Sequence, residues 1–266
     1  MKSITDTVLS SHNNKSISVD VILPNYNKFN FLEETINSVL DQTLKNWHMY
    51  IIDDHSTDNS WSIIKKYSNL DNVTLVRLNK NMGPSFCRNY AMRISKSKYI
   101  SFIDSDDTWK KTKLERQIHF MEKNNLSFTY TDYTPFFQTN GKKNYKEKTF
   151  LKDTFDFNTF IKNSSINTTT MIIRRSILGA HRFKKIKIME DYLFKCQLLQ
   201  SNNIAKKLDE DLAFYRISNK SRSSYRLKNI FWLWHINKYY NKLNFFKNLI
   251  SIIYISINSL KKYGFK

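Results

Sequence analysis

Glycine is scarce in this sequence, with four residues in 266, and proline scarcer, with three. Such a chain is neither collagen-like nor a low-complexity linker. The glycines stand only at 83, 141, 179 and 264, so neither G-x-G-x-x-G nor G-x-x-x-x-G-K-[ST] can form. That excludes the dinucleotide fingerprint and the P-loop. The two cysteines, Cys87 and Cys196, are too few for a disulfide framework, and there is no C-x-x-C, H-E-x-x-H or histidine cluster for structural zinc. No signal-type leader is expected, and the expected compartment is the reducing cytoplasm. The longest uncharged stretch near the C-terminus, residues 248–260, is 13 residues, against about 20 needed to span a bilayer.

Acidic residues are also missing from the end of the chain: none follows Asp211. The net charge of +20 is therefore local. Residues 1–130 carry 17 basic and 14 acidic groups, whereas the remainder carries 26 and 9. A nucleic-acid binder would not keep half its length nearly neutral. What the sequence does have is 41% hydrophobic and 15% aromatic residues, enough for a large packed core.

The first half alternates strand and helix patterns. A β-branched run at 18–23 ends at Pro24, which is expected to stop the strand. Apolar residues at helical spacing over 30–40 follow, with Asn30 as expected N-cap and Glu33 completing a capping box. Strands are expected at 48–52, 73–78 and 99–103, and helices at 59–67, 84–94 and 110–123. This order predicts an α/β fold with a mostly parallel sheet flanked by helices.

In such a sheet, ligands bind beyond the carboxyl ends of the strands. The residues there are Pro24-Asn25-Tyr26-Asn27, Asp53-Asp54-His55-Ser56-Thr57-Asp58, the 79–83 segment, and Asp104-Ser105-Asp106-Asp107. Asp and Asn cap helices and form turns. Two acidic clusters at one sheet edge, however, repel each other unless cations or donors compensate them. Hard oxygen ligands such as Asp106 suit Mg²⁺ or Mn²⁺ shared with substrate phosphates.

The segments 18–27, 51–58 and 102–109, together with Gln42-Thr43, the 81–89 stretch and Glu190-Asp191, closely resemble the family 2 glycosyltransferases of GT-A, Rossmann-like fold. The resemblance runs from about residue 18 to 224. It departs at His55, where the family usually has glycine, which is expected to change the turn and bring an imidazole near the nucleotide. The resemblance implies inverting transfer from a nucleotide-sugar, most often a UDP-sugar, to a glycan or glycolipid acceptor of the bacterial surface. Pro24, Tyr26, Asn27, Asp54, Gly83, Arg88, Asp104 and Ser105 would bind the donor nucleotide, with Tyr26 stacking on the uracil and Asp54 accepting from its imide. Asp106 would hold a divalent metal, Mn²⁺ or Mg²⁺, and Asp107 would approach the donor sugar. Asp191 would be the general base, and Tyr215 with Arg216 and residues 218–224 would form a lid. Arg88 read without the family is as readily a solvent-facing helical arginine.

The expected organisation is an extension (1–17), a nucleotide-sugar-binding half (18–130), an acceptor-binding half of the same catalytic domain (131–228) and a basic helical tail (229–266). In the tail, aromatic and isoleucine faces alternate with lysines. This fits helices lying in an anionic membrane interface, which would make the protein peripheral on the inner face of the cytoplasmic membrane. The alternative is a hairpin packed on the catalytic domain or against a homodimer partner. A sugar nucleotidyltransferase would want a glycine-rich basic loop after the first strand, and a nucleic-acid-binding protein would want cationic strand ends. Neither is present, so no nucleic-acid partner is expected.

Overall fold

The computed structural model describes residues 5–10, 19–139, 141–217 and 226–263. The first half contains β1 (Thr5–Ser10), β2 (Val19–Asn25), α1 (Phe29–Leu40), β3 (Trp47–Asp53), α2 (Ser60–Lys65), β4 (Val73–Leu78), α3 (Pro84–Ile94), β5 (Tyr99–Phe102), β6 (Thr108–Trp109) and α4 (Lys113–Lys123). The second contains β7 (Phe128–Thr139), β8 (Lys142–Tyr145), β9 (Thr154–Phe155), α5 (Phe157–Phe160), β10 (Ile172–Arg174), α6 (Glu190–Gln200), β11 (Ala205–Arg216), α7 (Arg226–Tyr239) and α8 (Phe245–Tyr263).

One sheet runs through the molecule in the order β1-β4-β3-β2-β5-β10-β7-β11-β6. Strands β4, β3, β2 and β5 are mutually parallel, as the alternation predicts. They are buried on both faces and read as nearly continuous apolar runs, for example Val21-Ile22-Leu23 and Ile51-Ile52. Beyond β5 the sheet becomes mixed, because β10 runs antiparallel between β5 and β7. The extension supplies β1, which closes the other edge antiparallel to β4.

Two local expectations are corrected. Strand β2 continues through Pro24 to Asn25, each paired with β3. Ile22 C=O accepts from Ile103 and Asn25 C=O from Asp54. Backbone alternation therefore turns the proline nitrogen toward β5, where pairing has already ended at Ile22 and Phe102. No ladder donor is missed. The capping box does not form either: Lys28 is the N-cap residue of α1, without a side-chain cap. Asp58 Oδ2 from the neighbouring loop accepts from Phe29 N–H at 3.0 Å, and Ser60 Oγ accepts from Lys28 N–H at 3.1 Å. A tertiary acceptor has replaced the local one, and Glu33 pairs with Lys66.

Helices α7 and α8 form a hairpin docked on the catalytic body. Leu233 and Ile236 join the core, and Tyr192 of α6 donates to Asn237 Oδ1 at 2.9 Å. Asn237 donates to Ser251 Oγ at 2.8 Å, Asn248 to the Trp234 carbonyl at 3.1 Å, and Ser251 to the Ile161 carbonyl. The inward side of α8 thus carries buried Asn248 and Ser251, while Phe245, Phe246, Leu249, Ile250, Ile253, Tyr254 and Ile257 face outward. No helix among the described residues is long and apolar enough to cross a membrane.

Under the sheet edge, Lys113 is fully buried, with no carboxylate partner among the described residues. Its Nζ donates to Gln117 Oε1 at 3.0 Å and lies 4.3 Å from the Trp109 ring centre. Burial lowers its pKa to about 7, so the unfolded chain holds a proton there that the folded chain releases above that pH. Stability should accordingly rise with pH between about 7 and about 10, by up to about 1.4 kcal/mol per pH unit. Lys113→Met should flatten this rise in chemical denaturation, and an unchanged slope would show that the lysine stays charged.

Candidate functional site

The site is built where β2, β3 and β5 end side by side. After β2, Asn27 adopts φ 51° and ties its loop to the next. Its Oδ1 accepts from Thr57 N–H at 2.8 Å, its own N–H donates to Ser56 Oγ at 3.0 Å, and its Nδ2 donates to Thr57 Oγ1 at 3.1 Å. Pro24 is buried beneath, while the Tyr26 ring is 42% exposed. After β3, fully buried Asp53 accepts from Asn25 Nδ2 at 2.8 Å, from Ser56 Oγ at 2.6 Å and from Ser56 N–H at 3.1 Å.

His55 takes φ 60°, the left-handed conformation that glycine adopts freely. The turn is therefore preserved rather than changed, and the imidazole Nδ1 lies 3.3 Å from the Leu78 carbonyl. Asp54 is 2% exposed. One of its carboxylate oxygens accepts from Met82 N–H at 2.6 Å, the other from Gly83 N–H at 2.8 Å. Burial pushes this carboxyl up, and the two N–H donors oppose the rise. The side chain expected to meet uracil directly instead fixes the loop that opens α3. Gly83, at φ 87°, supplies the backbone conformation there.

The loop after β5 separates its three aspartates. Asp104 is partly exposed and accepts from Arg88 Nη2 at 2.6 Å. Asp106 is paired with Lys28 Nζ and remains accessible to solvent. Asp107 is fully buried, accepts from Arg216 N–H at 2.9 Å, and is pushed well above the usual carboxylate range by burial and by Asp106 and Asp104. It faces the interior, which corrects the expected contact with the donor sugar. Ser105 is buried between them.

Arg88 is not solvent-facing. Its side chain is 6% exposed, and it spans from Asp104 to Glu190, 3.6 Å from its Nη1. The guanidinium lies 5.2 Å from the Phe183 ring centre, and Phe183 stacks on Phe194 of α6 at 4.0 Å. Burial opposes its charge, but Asp104 and Glu190 outweigh that and raise its pKa. Beside Glu190, Asp191 Oδ2 accepts from Lys195 Nζ at 2.8 Å and from Thr168 Oγ1 at 3.2 Å. Burial would raise the Asp191 pKa; the Lys195 ammonium and then Arg88 overcome this and hold it at about 2. A cleft of about 240 Å³ opens next to these groups, lined in part by Gly83, Pro84, Lys185 and Glu190.

Tyr215 and Arg216 lie inside β11 rather than in a mobile cover. Arg216 donates to the Asp106 carbonyl at 2.9 Å, Gln138 Oε1 at 2.6 Å and Glu34 Oε2 at 2.9 Å, between the rings of Phe31 and Phe136. It anchors the aspartate loop. Residues 218–224, the rest of the expected lid, lie outside the described residues. Sequence reasoning placed Asp53 in an acidic strand-end loop without giving it a role, and missed Lys28 and Lys195; of these two, only Lys195 left a signal, its four-residue spacing from Asp191.

Residues 20–182 match the family model described as glycosyl transferase family 2. The chain belongs to this family. It is 31% identical over 252 residues to the UDP-Glc:alpha-D-GlcNAc-diphosphoundecaprenol beta-1,3-glucosyltransferase WfgD of Escherichia coli, covering 93% of this chain and 95% of that protein. The fold is that of S. aureus TarS 1-349, solved in complex with UDP-GlcNAc: TM-score 0.71, 21% identity, 92% of this chain and 73% of that one. The mannosyltransferase PcManGT from Pyrobaculum calidifontis, solved with GDP-Man and Mn²⁺, superposes with TM-score 0.61 at 14% identity, over 100% and 80% of the two chains. The protein is thus a glycosyltransferase of GT-A architecture.

Arg88 is the member of this site whose loss should be most disruptive. Arg88→Met removes the cation that bridges Asp104 and Glu190, and should cost about 3 kcal/mol of stability together with donor affinity. Denaturant unfolding and UDP calorimetry on the variant check this; wild-type values in both would reduce Arg88 to a bystander.

Proposed function

We propose that this glycosyltransferase moves a sugar, with inversion, from a UDP-sugar to a hydroxyl of a lipid-linked glycan acceptor of a bacterial surface polysaccharide or lipooligosaccharide. The observation that carries the reading is the Asp104–Arg88–Glu190 bridge, which joins the aspartate loop to the Glu190-Asp191 pair in one site. WfgD, related along nearly its whole length, is named for a UDP-sugar donor and a diphosphoundecaprenol acceptor. A nucleotidyltransferase or a nucleic-acid binder gains no support from an edge lined by Asp53, Asp54, Asp104 and Asp106.

Pro24 and the exposed ring of Tyr26 would flank the uracil, and Asp104 would meet the ribose. Asn27, Asp54, Gly83 and Ser105 would shape the loops around the nucleotide. No cluster of three or more metal-type ligands occurs among the described residues. The carboxylate of Asp106, partly accessible and paired with a partly exposed lysine, nevertheless fits a hard cation that takes one or two carboxylates and completes its shell with phosphate oxygens. Asp106, with Asp104 beside it, would hold Mn²⁺ or Mg²⁺; when bound, the ion supplies charge neutralisation at the leaving diphosphate. Asp191 would take the proton of the acceptor hydroxyl as the new glycosidic bond forms and the bond to the diphosphate breaks.

The experiment uses UDP-glucose and UDP-GlcNAc as donors with an α-D-GlcNAc-diphospho-lipid acceptor, and donor hydrolysis with water as a parallel readout. Asp191→Asn should lower turnover by ~10²-fold or more and leave donor affinity nearly unchanged. Asp106→Asn should remove the Mn²⁺-dependent part of UDP binding in calorimetry. Near-wild-type turnover in the first variant would move the base elsewhere, with Glu190 the first neighbour to examine.

The same reading places the protein on an anionic membrane surface through its tail. Support comes from the outward apolar stripe of α8, from exposed Phe231 of α7, and from Lys238, Lys242 and Lys247 with no acid after Asp211. Each lysine near such a surface contributes up to about 1 kcal/mol. Phosphatidylglycerol vesicles should co-sediment the full chain, and high salt should partly release it. Phe246→Asp and Ile253→Asp should abolish binding without shifting the unfolding midpoint. A change from dimer to monomer in these variants, with vesicle binding retained, would instead make the stripe a contact between copies of the chain.

A further inference from the structure

Helix α6 is buried on nearly every side: Tyr192, Leu193, Phe194, Cys196, Leu198 and Leu199 are all enclosed. Lys195 sits among them with only 2% of its side chain exposed. A buried ammonium is costly unless every contact is made well. This one donates to two acceptors, the Ile166 carbonyl at 2.7 Å and Asp191 Oδ2 at 2.8 Å. The pair is asymmetric, since the Asp191 side chain is 41% exposed. The cation stands behind the carboxylate, on the protein side, and the carboxylate looks out. The four-residue spacing creates this arrangement, because helical side chains lean toward the N-terminus and stack on the residue one turn earlier.

We propose that Lys195 is a positioning residue for the reaction: it fixes the rotamer of Asp191 and keeps that carboxylate ionised. The inference rests on Asp191 being the base, as read above. Thr168 and Lys195 both donate to Oδ2, so Oδ1 keeps a lone pair for the incoming proton. The charged and titratable groups around Asp191 are Lys195, Glu190 and Cys196 on α6 and Arg88 on α3; the 166–170 segment contributes only a carbonyl and a hydroxyl. The ammonium weakens Asp191 as a base in the ground state. In exchange it supplies one geometry and full ionisation, the part an orienting group plays beside a catalytic base.

The test measures turnover and its pH dependence in the full-length protein with the donor and acceptor named above. In the wild type the acid limb should lie below the accessible range. Lys195→Met should reduce kcat by ~10-fold or more through lost orientation, leave the donor KM unchanged, and bring an acid limb into view above about pH 4. Lys195→Gln, which keeps a donor without the charge, should show the same acid limb with a smaller loss of kcat, and it reads the effect if the Met variant fails to fold. In an Asp191→Asn background, Lys195→Met should have no further effect on turnover. An unchanged acid side in both variants, or an equal loss in the Asp191→Asn background, overturns the inference. Wild-type turnover of Asp191→Asn alone would instead overturn the assignment of the base.

Discussion

The arrangement depends on one buried cation. Arg88 sits on α3 with little access to water, and its charge is tolerated because Asp104 and Glu190 flank it and Phe183 lies beneath. The same charge lets two acidic segments from opposite halves of the chain approach each other. Without it, Asp104 and Glu190 would meet at the sheet edge with no cation between them, which raises their mutual repulsion. The planar, always-charged guanidinium reaches both carboxylates at once, which a lysine point charge would not do in this geometry. Arg88 therefore joins the two halves electrostatically as well as by packing.

Every other carboxylate at this edge is compensated by its own device. Backbone N–H groups hold Asp54, the Asn25 amide and Ser56 hold Asp53, and the Arg216 N–H holds Asp107. These three are buried, and what they do is fix loop shape. Asp106 is paired with Lys28, and Asp191 with Lys195 backed by Arg88; both stay accessible, as does Asp104 beside Arg88. Accessibility thus divides one acidic edge into groups that frame the loops and groups that face solvent. The division follows from which donors tertiary folding brings near each residue.

The division also marks how far the sequence could be read. The parallel strands and the helix starting at Pro84 were legible from β-branched runs, helical spacing and turn residues, and the motifs were legible from their positions after strands. What was not legible arises from partners distant in the chain. Asp58 caps α1 in place of the local capping box, and Asp107 turns inward because β11 delivers the Arg216 N–H. His55 was read as a change in the turn because glycine is usual there, yet it adopts the left-handed backbone itself. Asn27 and Met189 do likewise beside the site, at φ 51° and 64°. A chain with four glycines places strained non-glycine residues in its functional loops, and such strain persists only where the surroundings over-determine it.

The C-terminal hairpin inverts the usual logic of a surface helix. Its inward side is held by Asn237, Asn241, Asn248 and Ser251, whose hydrogen bonds are directional and fix the pose of α8. Leu233, Ile236, Ile252 and Ile255 also pack inward, while Phe245, Phe246, Ile250, Ile253 and Ile257 are left on the outward side. Burying those side chains against the body instead would have satisfied the hydrophobic effect within the chain and left the asparagines to water. The observed pose forgoes that gain, and the forgone apolar area stays available to something outside the chain. The charge asymmetry follows the same division. The near-neutral half carries the acidic edge that suits a metal-bound diphosphate, and the strongly basic half ends in the apolar stripe. The two halves thus present different chemistry to two different partners, a soluble donor at one and an anionic surface at the other on the reading proposed above.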